Sequence, residues 1–376
     1  MNRKTERSRI LPVVWLALGL AAWSCATDAD MGREPAETDP NRGTDWILSE
    51  LSADEGVSFR IPTFEVDAMS EEQTCYFLQV PDVNDGKDFW VDEVRLAMNP
   101  GSHHMNIFRV RTIKELRPED GEPMKIGPYD ATVIRGHGEY QTHPCWNSAN
   151  WSDWPLVANT QHANPKNPYT SWKLPEKVAM RFTPGEMLMI QSHYVNTTTQ
   201  PTPSGLGRVG INLYRNHEEG LMELGTLFAT QQNLRICQSN RTPMFSGTCR
   251  FPGPVTITAA NGHFHSRGKQ FSMFTWDGQD LEHPAESAHF YTSNDWNEPP
   301  MTTGIERSVP KGAGIWWDCQ YQWQPPIFGC DTVNAKDPEN ADDCCYVFGG
   351  NTDVGEHCNV FLYYYPRVKD TDVFCN

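Results

Sequence analysis

Cysteines at positions 75, 145, 237, 249, 319, 330, 344, 345, 358 and 375 constrain this chain more than any other feature of it. In an exported chain an even set of this kind reads as a disulfide framework of up to about five bridges, with the connectivity left open. The adjacent pair Cys344-Cys345 is expected to separate, each thiol bonding a different partner. The spacing is not that of a zinc finger. Such a framework suits a fold of short segments and many turns rather than long helices.

The start of the chain argues for export. Arg3, Lys4, Arg7 and Arg9 precede an apolar run from Leu11 to Trp23. That run is short for a membrane span, which takes ~20 apolar residues, and suits a secretory signal over residues 1–24. Cys25 follows directly and resembles the lipidated cysteine of bacterial lipoproteins. This implies a lipid anchor in the cell envelope, with plain secretion the alternative. Residues 25–50 are acidic and poor in large apolar side chains, so they read as a tether. The formal charge is −17, and the signal carries four basic residues against one acidic, Glu6, so the remainder is more acidic still. Nucleic acid is excluded as a partner, because its affinity comes from basic residues neutralising phosphates.

The local pattern is β throughout. Runs such as Phe89 to Met98, Val178 to Phe182, Met187 to Tyr194, Val255 to Ala260, Gly314 to Trp323 and Asn359 to Tyr365 are rich in β-branched and aromatic residues. Gly, Pro, Asn and Asp bound them, and no segment shows a 3.6-residue apolar period. The fold class is all-β, with antiparallel sandwiches expected. The charged turn Asn216-His217-Glu218-Glu219-Gly220 suggests a boundary, giving domains at 51–216 and 217–376. Trp146, Trp151 and Trp154 mark a turn-rich insertion at 145–172.

Four histidine positions stand out. His103-His104 follows Pro100-Gly101. Neighbouring strand residues face opposite ways, so the pair shares a metal only at a bend or bulge; taken alone, such a pair is more often a surface feature. His193 lies inside a strand, where a satisfied core histidine is the commoner case. His263 and His265 are two apart, which puts both imidazoles on one strand face, within reach of one copper or zinc ion. His357 precedes Cys358 and a strongly aromatic strand. His137, His143, His162, His217, His283 and His289 sit in turn-rich sequence and read as surface or hydrogen-bonding residues.

In order along the chain, His103-His104-Met105, Gln191-Ser192-His193-Tyr194, the run from His263 through His265 to Gly268-Lys269, and Glu356-His357-Cys358-Asn359 with Phe361 to Pro366 carry a resemblance. Over residues 60–376 the chain resembles the copper type II, ascorbate-dependent monooxygenases, which include peptidylglycine α-hydroxylating monooxygenase and dopamine β-monooxygenase. The resemblance implies two tandem jelly-roll-like β-sandwiches facing a solvent-filled cleft. One copper would sit on each, one held by His103, His104 and His193, the other by His263, His265 and His357. It further implies a Cys319–Cys358 disulfide, and hydroxylation of a small organic substrate with O2 and ascorbate or a similar reductant. His263, His265 and His357 would form the catalytic site.

Three departures qualify this. His357 stands where the family has methionine, and a third imidazole is a stronger donor that suits Cu(II) as well as Cu(I). Asn261 replaces the family's carboxylate-binding arginine, and Phe361 replaces a tyrosine, although Asn359 is retained. A peptidylglycine substrate is therefore disfavoured. The insertion at 145–172 is the third. A non-catalytic copper-binding or copper-sensing surface lipoprotein is the competing reading.

Overall fold

The structure, a computed structural model, describes residues 48–64, 66–98, 102–110, 132–136, 154–161, 169–196, 199, 207–279, 282–327, 329–333, 335–336, 343–350, 352–368 and 373–375. The expectations for the leader, the tether, Cys25, Cys145, His137, His143, His162, Trp146 and Trp151 lie outside these residues. Among them are twenty-four strands and two short 3-10 turns. The chain is all-β and built of antiparallel sheets, with three short parallel pairings. No helix of the described residues is long and apolar enough to cross a membrane.

The N-terminal half contributes two sheets. One runs in the order Gly56–Phe64, Gly207–Asn216, Phe89–Met98, Val178–Phe182 and Met222–Glu223, with Tyr169–Lys173 also paired to Phe89–Met98. The other runs Thr132–Gly136, Ser70–Gln79, Met187–Asn196, Ser102–Arg109 and Leu156–Thr160. The expected insertion is thus corrected in part. Residues 156–160 and 169–173 are regular strands of the two sheets, and Trp154 is buried in the core beside them.

The C-terminal half adds three sheets. The one that matters most orders Thr302–Val309, Val255–His263, Asn359–Tyr365, Gly225–Thr230 and Val373–Cys375. Its residues alternate between two cores with the period of two that a strand imposes. Leu227 and Ala229 enter the C-terminal core, while Phe228 between them enters the N-terminal one. Val360, Leu362 and Tyr364 do the first, Phe361 and Tyr363 the second. This sheet is a wall common to both cores. Hydrogen bonds fasten it: Thr226 donates to the Leu156 carbonyl at 2.7 Å, and Tyr363 Oη donates to Asn159 Oδ1 at 2.7 Å. Where the resemblance implies a solvent-filled cleft, these strands are in direct contact.

Four disulfides staple the C-terminal half: Cys237–Cys345, Cys249–Cys375, Cys319–Cys358 and Cys330–Cys344. Cys344 and Cys345 do take different partners. Cys75 is disulfide-bonded as well. Each native bridge of an exported protein contributes ~2–5 kcal/mol.

Candidate metal centre

Pro100-Gly101 lead into the strand Ser102–Arg109, whose pairing with Met187–Asn196 slips between Ser102 and His104. That bulge, one extra residue against the partner strand, turns His103 and His104 toward the same side. Opposite His104 stands His193. Ring centroids within this set lie 4.9–5.2 Å apart. In the C-terminal half the last residue of Val255–His263, the following His265, and His357 just before Asn359–Tyr365 form a second set, with centroids 4.4–5.1 Å apart.

The two sets adjoin. His103 lies 5.1 Å from His263 and 5.3 Å from His265, and His104 lies 4.9 Å from His263. All six imidazoles are at most 3% exposed. Two all-histidine groups emerge, His103-His104-His193 and His103-His263-His265, each with donor atoms within 4.8 Å of one another, and His357 falls in neither. The expected pair of separated clusters is therefore one contiguous group.

Burial sets the charge. His103, His104, His263 and His265 are pushed well below the usual imidazole range, first by loss of water and then by neighbouring imidazoles. His357 is lowered to about 3, chiefly by burial. Neutral imidazole is the metal-binding form.

The second set is buttressed. Gln161 Nε2 donates to the Gly262 carbonyl and to Asn261 Oδ1, which leaves its Oε1 to accept from His263 Nδ1–H at 2.7 Å. His263 Nε2 thereby carries the lone pair, and it faces His357 Nδ1 at 3.0 Å. His265 Nδ1–H donates to the Gly355 carbonyl at 3.1 Å, and its Nε2 is buried without a partner. Glu356, fully buried, accepts from the backbone N–H of His265 and of Arg267 at 2.9 Å each and from Arg267 Nε at 2.6 Å. Arg267 donates onward to the Thr352 and Gly355 carbonyls. The Cys319–Cys358 bridge and a hydrogen bond from Tyr321 Oη to the His357 carbonyl hold the backbone at His357.

The first set lacks such support. Both ring nitrogens of His103, His104 and His193 are buried with no hydrogen-bond partner. The nearest carboxylate, Glu71, is 3.6 Å from His193 Nε2 and is engaged by Thr352 of the other half. A buried polar atom without a partner costs ~1–3 kcal/mol, so several at one point need an explanation, and a bound ion is one. The donor set fits copper or zinc.

Sequence reasoning missed Gln161, Arg267, Glu71 and Gln73. Asn261 leaves nothing for a substrate: its Oδ1 accepts from Asn159 and Gln161, and its Nδ2 donates to the Pro299 and Pro300 carbonyls. Beside it lies a cavity of about 410 Å3 lined by Thr160, Gln161, Thr170, Asn261, Glu298 and Met301 among others, with no basic side chain. A second cavity of about 10 Å3 is bounded by His104, His263 and His357. His217, His283 and His289 stand apart, each against polar partners such as Asp318 for His283.

No family model matches the chain, and no curated protein matches it. Solved structures with a weak likeness include the infectious bursal disease virus Gx strain, at 7% identity over 85% of this chain and 80% of that one, TM-score 0.14. A D431N mutant VP2 protein of the same virus is similar, at 8% identity over 86% and 76%, TM-score 0.14.

Proposed function

We propose that this chain is a copper-dependent monooxygenase that hydroxylates a small organic substrate with O2 and a one-electron reductant such as ascorbate. The observation that carries this reading is the buried six-imidazole group, with unpartnered ring nitrogens on His103, His104, His193 and His265. Two ions per chain suit six donors. Copper bound there supplies one-electron transfer and oxygen activation. The chain's own residues would do the rest: Gln161 and the Gly355 carbonyl fix which nitrogen of His263 and His265 is left to face an ion, and burial holds His103, His104, His263, His265 and His357 unprotonated and keeps bulk water out.

The 410 Å3 cavity, of the size that takes a small ligand, is the place for substrate. With polar uncharged walls, the Glu298 carboxylate and no cation, it suits a neutral or cationic molecule and not a carboxylate. Export and a lipid on Cys25 would put the enzyme in the bacterial envelope.

A non-catalytic copper-binding lipoprotein is the second reading. It is favoured by His357 in place of a softer donor and by the small space, about 10 Å3, beside the imidazoles. One experiment separates the two. The chain is loaded anaerobically with copper, reduced with ascorbate and exposed to oxygen, against a His263→Ala, His265→Ala variant. Oxygen uptake above that of free copper, lost in the variant while one copper equivalent stays bound, supports the enzyme. Two coppers that reduce without consuming oxygen support the binding protein, and no bound copper removes both.

A further inference from the structure

Two ions in independent sites need separate donors and a barrier between them. Neither is present. His103 belongs to both ligand groups, and in each the donor atoms fall within 4.8 Å of one another. No side chain separates His103 and His104 from His263, whose ring centroids are 5.1 and 4.9 Å away.

The small cavity supplies a second, independent observation. It is bounded by His104 of one set and by His263 and His357 of the other. Gln73, Asn106, Gln191 and Asn359 supply the rest of its polar wall, and Phe108, Phe228 and Phe361 its apolar side. Gln73 Nε2 and Oε1, Asn106 Oδ1, Gln191 Nε2 and Asn359 Oδ1 are all buried there without partners. Its volume of about 10 Å3 is near the minimum for one water molecule, and its unpartnered amide groups call for one. None of the residues lining it carries a fixed charge. Two cations close together beside it repel strongly at low dielectric, which a small anion between them would offset.

We infer that the six histidines form a single dinuclear metal centre, with one water-sized ligand held between the two sets and His103 common to both ions as an imidazolate, one ring nitrogen to each and its N–H proton released to solvent on metal binding. This rests on the copper reading above and deepens it. The two ions act on each other, so the occupancy of one set governs the affinity of the other.

The chain is loaded with two equivalents of Cu(II), freed of loose metal by desalting, and studied by EPR with spins counted against total copper. Fewer spins than coppers, or a half-field line, is the expected result. Two bound coppers giving fully counted, isolated signals overturn the inference and leave the copper reading standing, as does retention of a single ion. Retention of no copper overturns both. In His103→Asn, checked for its fold by circular dichroism, both copper equivalents are expected to weaken by about tenfold or more. Weakening of one equivalent alone means that His103 is not shared.

Discussion

The two histidine sets use the same ligand type and the same depth of burial, and they differ in what stands behind them. His263 and His265 each give one ring nitrogen to an acceptor, the Gln161 amide and the Gly355 carbonyl, so their tautomers are fixed before any ion arrives. The ring nitrogens of His103, His104 and His193 make no hydrogen bond of this quality, and the Glu71 carboxylate stands 3.6 Å from His193 Nε2. A supported imidazole is a pre-oriented, more basic donor. An unsupported one is free to turn. The difference assigns a rigid, ready site to the C-terminal half and an adaptable one to the bulged strand of the N-terminal half.

The largest expected effect tests what the sets share. Buried imidazoles with lowered pKa values take up protons only on unfolding, so below the unfolded value of ~6.5 the unfolded chain binds more protons than the folded one. Stability of the metal-free chain therefore falls as the pH drops from 7 to 5. Each such histidine, in both sets, contributes up to about 1.4 kcal/mol per pH unit. Urea midpoints at pH 7 and 5.5 read this directly, and an unchanged midpoint would mean that water reaches the rings. The next effect belongs to the rigid set alone. Glu356→Ala leaves Arg267 buried without its partner and is expected to cost ~3–5 kcal/mol, measured as a shift in unfolding midpoint; a cost under about 1 kcal/mol would take the ion pair out of the argument. The smallest effect is the sharpest comparison. Gln161→Leu removes one acceptor and is expected to weaken one copper equivalent by about 10–100-fold while the other changes less. Equal weakening in a titration would erase the distinction between the two sets.

Much of this was legible in the chain itself. The strands Phe89–Met98, Val178–Phe182 and Asn359–Tyr365 begin and end where their turn residues place them, because apolar alternation and Gly, Pro and Asn punctuation are local signals. A bend or bulge at His103-His104 was expected after Pro100-Gly101 in the sequence, and the register does shift between Ser102 and His104. The group's unity was not legible. His103 and His263 are 160 positions apart, and no periodicity reports a meeting across that distance. Gln161 was hidden for the same reason: it ends a strand in a stretch whose tryptophans and turns read as an insertion. Glu356 was visible as a neighbour of His357, but its role depends on Arg267, which arrives from the turn between Val255–His263 and Gly268–Trp276.

The common wall between the two cores has a consequence for how the chain is made. Domains are generally completed one after another as synthesis proceeds. Here Phe228, Ala259, Phe361 and Tyr363 close the N-terminal core, and Tyr363 lies 147 positions beyond Asn216, where the last long strand of that half ends. The first-made half thus waits, with one flank open, for a strand made much later. Contacts of such long sequence separation are slow to form. A nascent chain of this design is best kept unfolded until that strand is available.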